Sequence, residues 1–278
     1  MRLYCEIRGV GFPILCLHGH PGSAQAMAVF TESLSDRYQT LTPDLRGYGR
    51  SRTPLDFELQ DSLNDLVELL DTQNIERCLV LGWSLGGILA IELALRHPDR
   101  IAGLILVATA ARPVGSHPPV TWPDLINTGL ASLINLAIPG HPWVIQTLGK
   151  RSLYRYLLQQ HSSGAYHRLA KEGFWAYLGT SKQANRALNR ALAQRYNRLP
   201  NLGAIAAPSL VLCGAQDRHI TAQASLETAA HLPQADSRCY PDTAHLLPWE
   251  IPDQLLQDIH QWLEQQTDAL GLKDSWAG

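Results

Sequence analysis

The chain has 278 residues, 45% of them hydrophobic, with 23 basic and 25 acidic side chains. That length fits one large domain, or one domain with an insertion, and a core that needs no staples. Gly and Pro together make up about 14% of the chain, which excludes collagen and wholesale disorder, and a net charge of −2 gives no general pull toward nucleic acid or an anionic membrane.

The N-terminal residues Met1 to Glu6 lack the apolar run of a signal peptide. Gly9-Val10-Gly11 predicts a hairpin turn; position 14 is Ile, and no helix pattern follows, so it is not a dinucleotide loop. Ile14 to Leu17, Cys78 to Leu81, Leu104 to Val107 and Ser209 to Leu212 are continuous apolar runs, the pattern of parallel strands covered on both faces. Asp44-Leu45-Arg46-Gly47-Tyr48-Gly49-Arg50-Ser51 follows a strand and is expected to be a structured loop near the site without a catalytic role. Leu59 to Leu70 has helical spacing, Leu85 to Leu95 is apolar nearly all round and predicts a buried helix, and Ile251 to Leu263 is amphipathic.

The β/α alternation stops near residue 112. Four helices are expected in its place, at roughly 123–138, 142–159, 164–178 and 181–198, before the strand at Ser209, a short strand over Asp236 to Tyr240 and the last amphipathic helix. The predicted fold is therefore α/β: a doubly wound, mostly parallel sheet built from 1–111 and 200–278, with a helical cap inserted over 112–199. The tail Asp268 to Gly278 is expected to fray. Cys5, Cys16, Cys78, Cys213 and Cys239 form no CxxC pair and are expected to be reduced core thiols. The most apolar run, Ala102 to Ala111, is half the length a bilayer needs, so a soluble cytoplasmic protein without a membrane span is expected.

Gly82-Trp83-Ser84-Leu85-Gly86 matches G-x-S-x-G. A nucleophile on a sharp strand-to-helix turn needs near-absent side chains two residues to either side, and the strand before and helix after meet that context. A serine hydroxyl needs a base, and the base an orienting group. In chain order these are expected to be Asp217, on a loop at the C-terminal end of the strand from Ser209, and His245, after the strand ending at Tyr240. Asp242, three residues upstream of His245, is poorly placed to orient it. Two N–H donors for an oxyanion are expected from Leu85, at a helix N-terminus, and from His20 in the loop His18-Gly19-His20-Pro21-Gly22-Ser23. The His18-x-His20 pair has no carboxylate or Cys nearby in sequence, so no metal is assigned to it; His18 is expected to be structural, and the His20 ring is a candidate to face the substrate. No metal or cofactor is required by this chemistry.

With His18-Gly19-His20-Pro21-Gly22, the Asp44 to Ser51 loop, Gly82 to Gly87, Gly214-Ala215-Gln216-Asp217 and the His245 loop in hand, the chain resembles the α/β-hydrolase fold superfamily across 1–111 and 200–265. The resemblance implies an ester-type hydrolase with a helical cap after strand six. Ser at position 84 argues against the branches that use Asp there. Leu81 to Gly87 also resembles the carboxylesterases that demethylate pimeloyl-carrier-protein methyl ester, a family that usually has Trp where this chain has His20. Trp83 would then line the acyl pocket; the alternative is a packing role.

From Arg112 to Pro200 there are eleven basic side chains and two acidic ones, a net +9 against −11 for the rest. Lys182, Arg186 and Arg190 recur every four residues on one helix face. A face of one sign suits an acidic acyl carrier protein, an anionic small molecule or the chain's own acidic core; no nucleic-acid-reading motif is present. The expected function is a serine hydrolase of carboxylic esters, with a carbon–carbon bond hydrolase or lyase using the same triad, or a catalytically idle binding module, as alternatives.

Overall fold

The computed structural model describes residues 1–270. Seven strands form one sheet: β1 (Cys5–Arg8), β2 (Pro13–Leu17), β3 (Gln39–Pro43), β4 (Cys78–Trp83), β5 (Ile101–Val107), β6 (Ser209–Gly214) and β7 (Ala235–Tyr240). Their order is β1-β3-β2-β4-β5-β6-β7, with only β1 antiparallel. Every residue of β4, β5 and β6 is buried, as continuous apolar strands require. Alternate side chains feed two cores. Ile14, Cys16, Leu79, Leu81, Ile105 and Leu210 face α1 (Ala28–Leu34) and α12 (Pro252–Gln265). Leu15, Leu17, Val80, Leu104, Leu106 and Val211 face α2 (Leu59–Thr72) and α3 (Leu85–Arg96). A further flanking helix, α10 (Ala222–His231), joins β6 to β7.

The sequence places a hairpin at Gly9 to Gly11, and the structure corrects it. β3 is inserted between β1 and β2, so the two strands joined by that turn are not partners. The glycines are needed for another reason: both have positive φ, and side chains there would run into the carbonyls of Ser35, Arg37 and Tyr38.

Between β5 and β6 lies the cap, and only its first predicted helix keeps its bounds, as α4 (Trp122–Ala137). The stretch expected as 142–159 is α5 (Pro142–Thr147), a 3-10 turn at Gly149–Arg151 and α6 (Tyr154–Leu157). Ser152 breaks it: its backbone is extended, and its hydroxyl folds back to the Gly149 carbonyl at 2.6 Å. The third helix runs as α7 (Ser163–Arg168) and α8 (Phe174–Gly179), joined by a π-helical turn over Leu169–Gly173. The fourth, α9 (Lys182–Ala193), stops short of 198, where Arg195 takes a positive φ. Two short helices complete the chain, α11 (Leu247–Glu250) and α13 (Thr267–Leu270).

Residues 271–278 of the tail expected to fray lie outside the described residues. Residues 268–270 do not fray: Leu270 is buried in the slot above Gly103, which a side chain there would fill. Cys16, Cys78 and Cys213 are buried, whereas Cys239 is exposed because β7 is an edge strand, open to solvent from Asp236 to Cys239. Among the described residues no helix is long and apolar enough to cross a membrane.

Candidate active site

The chain turns in opposite directions on leaving β2 and β4, which are neighbours in the sheet. A crevice opens at the C-terminal ends of such a pair, and there the loop after β2 meets the turn after β4. Ser84 holds that turn with φ +54° and ψ −115°, a conformation that costs a non-glycine residue strain and exposes its side chain. Its N–H donates to the Val107 carbonyl at 2.9 Å, and its carbonyl accepts from the Thr109 hydroxyl at 2.8 Å. A side chain at Gly82 would collide with the Gly86 backbone, and one at Gly86 with the Leu17 carbonyl. These approaches are the physical content of the small residues flanking the serine.

Asp217 and His245 come from the loops after β6 and β7, and the structure brings both to Ser84. The His245 Nε2 lies 3.1 Å from the Ser84 Oγ, and the Nδ1–H donates to Asp217 Oδ2 at 2.8 Å. The other carboxylate oxygen accepts the N–H groups of His219 at 2.7 Å and Ile220 at 3.0 Å. All three side chains are buried. Asp242 is exposed, and its carbonyl is bound by Gln160.

Gly19 lets the β2 loop pass against the serine: a Cβ there would sit 3.2 Å from the Ser84 Cβ. That approach sets the His20 backbone beside the N-terminus of α3. Among the described residues neither the His20 nor the Leu85 N–H is taken by a protein acceptor. His18 is committed elsewhere, its Nδ1–H to the Gly19 carbonyl at 2.8 Å and its Nε2 to the Leu45 N–H at 3.1 Å, which leaves no nitrogen for a metal. The His20 ring shares a 2.9 Å hydrogen bond with the Tyr48 hydroxyl. Asp44 holds the loop that carries Tyr48, accepting the N–H groups of Ala24 and Arg50 at 2.7 Å each. The Trp83 ring packs edge-on against Phe30 and Trp249, and its N–H reaches the His245 carbonyl at 3.4 Å.

Two groups escaped the sequence reading. His219 lies edge-on to His245 with ring centroids 4.6 Å apart, and His117 stacks on His219 at 5.9 Å. Glu250, buried, accepts the N–H groups of Ala244, Gln159 and Gln160 and so ties the His245 loop to the cap. Burial pushes the Glu250 carboxyl up, against the pull of those three donors.

Burial and then neighbouring His18 hold His20 down at about 4; burial of the ring among its neighbours and then His245 hold His219 down at about 3, although the residue as a whole is exposed. Both are neutral when folded and take up a proton only when unfolded, starting near pH 6.5. Their contribution to stability is thus full above pH 6.5 and declines as the pH falls toward 4. The urea midpoint of the wild type should drop from pH 7.5 to pH 5, and drop less in a variant carrying His20→Asn and His219→Asn. An equal drop in both would contradict the assignment.

Arg186 pairs with Asp56 at 3.3 Å, and Arg190 with Glu58 at 2.8 Å. Two of the three cations on the α9 face therefore meet the chain's own acidic residues; Lys182 has no ion-pair partner among the described residues.

A model of the family described as alpha/beta hydrolase fold matches residues 13–252. The magnesium-chelatase 30 kDa subunit of Rhodobacter capsulatus is 31% identical over 257 residues, 90% of this chain and 86% of that protein. The pimeloyl-[acyl-carrier protein] methyl ester esterase of Aeromonas hydrophila is 38% identical over 110 residues, 40% of this chain and 42% of its own length. A solved thermophilic esterase from Thermogutta terrifontis, with malate bound, superposes with a TM-score of 0.71 at 26% identity, covering 95% of this chain and 93% of that one.

Proposed function

The chain belongs to the α/β-hydrolase fold family, and from that premise we propose that it is a serine esterase that cleaves carboxylic esters through an acyl-enzyme. The observation that carries this reading is the unbroken series from Ser84 Oγ to His245 to Asp217, with contacts of 3.1 and 2.8 Å. Ser84 attacks the ester carbonyl while His245 Nε2 takes the hydroxyl proton. Asp217 holds the imidazole in the tautomer that leaves Nε2 bare and stabilises the imidazolium once formed. The N–H groups of Leu85 and His20 receive the oxyanion. The proton on Nε2 then goes to the leaving alkoxide, and the alcohol departs. Water attacks the acyl-enzyme, giving its proton to Nε2. Collapse of the second tetrahedral species releases the carboxylic acid and returns that proton to Ser84. Turnover of short p-nitrophenyl esters that disappears with Ser84 tests the reading.

A relative matched over 90% of the chain is named for a chelatase, so the chemistry is taken from the site and not from that name. The finer reading, an acyl methyl ester presented by an acidic carrier protein, draws on the pimeloyl relatives and on the charge of the cap. With Arg186 and Arg190 occupied by Asp56 and Glu58, Lys182 is the cation on α9 left for such a partner. It predicts that turnover of a carrier-bound ester falls with added salt more steeply than turnover of the free methyl ester. An equal salt response removes the carrier.

A further inference from the structure

α4 is turned inside out. Its buried residues are Asp124, Ala131 and Asn135. Asp124 accepts the Thr121 N–H at 2.9 Å and pairs with Arg155 at 2.6 Å, and Asn135 donates to the Tyr166 carbonyl at 2.6 Å. The polar face is thus the one spent on the cap. The apolar face points out: Trp122 is 78% exposed, Ile126 59%, Leu133 58%, Leu125 46% and Leu130 45%. At 100° per residue these five side chains span about 140° of one helix surface. Single exposed apolar residues are ordinary, but a contiguous helix face of them marks an interaction surface.

The charges around that face indicate what covers it. The 3-10 turn carrying Lys150 and Arg151 is docked beside α4, where the Asn127 amide donates to the Arg151 carbonyl at 3.2 Å and the Leu153 N–H to the Thr128 hydroxyl at 3.0 Å. Both cations are exposed and have no ion-pair partner among the described residues. The whole cap carries +9 and the rest of the chain −11, so an anionic plane would draw the molecule in cap-first and repel its other end. A second copy is a poor occupant. Cap against cap sets Lys150 and Arg151 of one copy against those of the other, and the exposed large hydrophobic residues outside the cap, Ile7, Val10, Leu55 and Leu226, are scattered. A convex helix with a Trp at one end, aliphatic side chains along it and cations beside it matches a soft, negatively charged lipid surface.

We propose that the outward apolar face of α4, with the exposed cations Lys150 and Arg151 on the turn held beside the helix, docks in the interface of an anionic lipid bilayer. The helix would lie in the plane of the headgroups without crossing. Trp122 begins it five residues after His117, whose ring stacks on His219 beside His245, so docking brings the lipid surface close to the catalytic cleft.

The test is flotation of the whole protein with vesicles of 70% phosphatidylcholine and 30% phosphatidylglycerol, compared with pure phosphatidylcholine. Binding is expected to be at least tenfold stronger to the anionic vesicles and to fall at least tenfold in a variant carrying Ile126→Asp and Leu133→Asp. That variant should hydrolyse p-nitrophenyl acetate as the wild type does. Brominated lipid should quench the wild type, and most of that quenching should vanish in Trp122→Phe, a readout that needs no charged residue introduced on α4. Ser84→Ala should float as the wild type does, which separates failure of this proposal from failure of the esterase reading. No preference for anionic vesicles, or binding unmoved by the α4 substitutions, would overturn the proposal. So would a lipid-free dimer that the same substitutions dissolve, since the face would then belong to a second copy.

Discussion

Ser84→Ala is expected to lower kcat for a short p-nitrophenyl ester by roughly 10⁴-fold or more while leaving the protein folded. Alanine removes the hydroxyl that lies 3.1 Å from His245 Nε2. The N–H groups of Leu85 and His20, proposed to receive the oxyanion, are untouched, so a small rate above that of water should persist. Stability should change little. Alanine carries the same Cβ and therefore the same strain at φ +54°, and the backbone bonds to Val107 and Thr109 involve no part of the side chain. Steady-state kinetics together with circular dichroism and a melting curve check both halves. A variant that melts like the wild type and keeps more than a few per cent of its activity would remove Ser84 from the chemistry.

Asp217→Asn is expected to cost about 10⁴-fold in kcat, and the reason can be read from the two carboxylate oxygens. Oδ1 faces two N–H donors, those of His219 and Ile220. An asparagine must keep its carbonyl oxygen there, which turns its NH₂ toward His245 Nδ1. The imidazole then accepts at Nδ1 and carries its proton on Nε2, the nitrogen that must receive the proton of Ser84. The protein stays folded with its base in the wrong tautomer. Asp242→Asn is the control: its side chain is exposed and lies outside the hydrogen-bonded series, so activity should stay within about twofold. Comparable losses in the two variants would reopen the choice of the orienting carboxylate.

The parts of the site visible in sequence are those set by local geometry. Gly82 and Gly86 had to be small because the turn presses them on Gly86 and Leu17, and a pentapeptide records that demand. Asp217 could be placed because it follows an apolar buried strand, and His245 because it follows the short strand ending at Tyr240; in a parallel sheet the C-terminal ends of both share one edge. Groups that depend on side-chain direction or on distant partners were hidden. His219 sits two residues from Asp217, but only the turn between them aims its ring at His245. Glu250 looks like a stray acid in an apolar run until the N–H groups of Gln159 and Gln160, some 90 residues away, are seen on it. A turn signal at Gly9 cannot reveal that β3 enters between the two strands it joins. Periodicity gave α4 as a helix and could not say which of its faces points outward. In sequence the basic face of α9 suits, among others, the chain's own acidic core; only the partners, Asp56 and Glu58 some 130 residues away, could not be named.

The central claim is that the hydroxyl of Ser84 is activated by His245 in the resting fold. Incubation with a small fluorophosphonate followed by peptide mass spectrometry tests it most directly. The account predicts one phosphonyl adduct per chain, on Ser84, formed quickly in the wild type and far more slowly after His245→Gln. An unmodified Ser84 after prolonged exposure, or labelling at the same rate without His245, would contradict it.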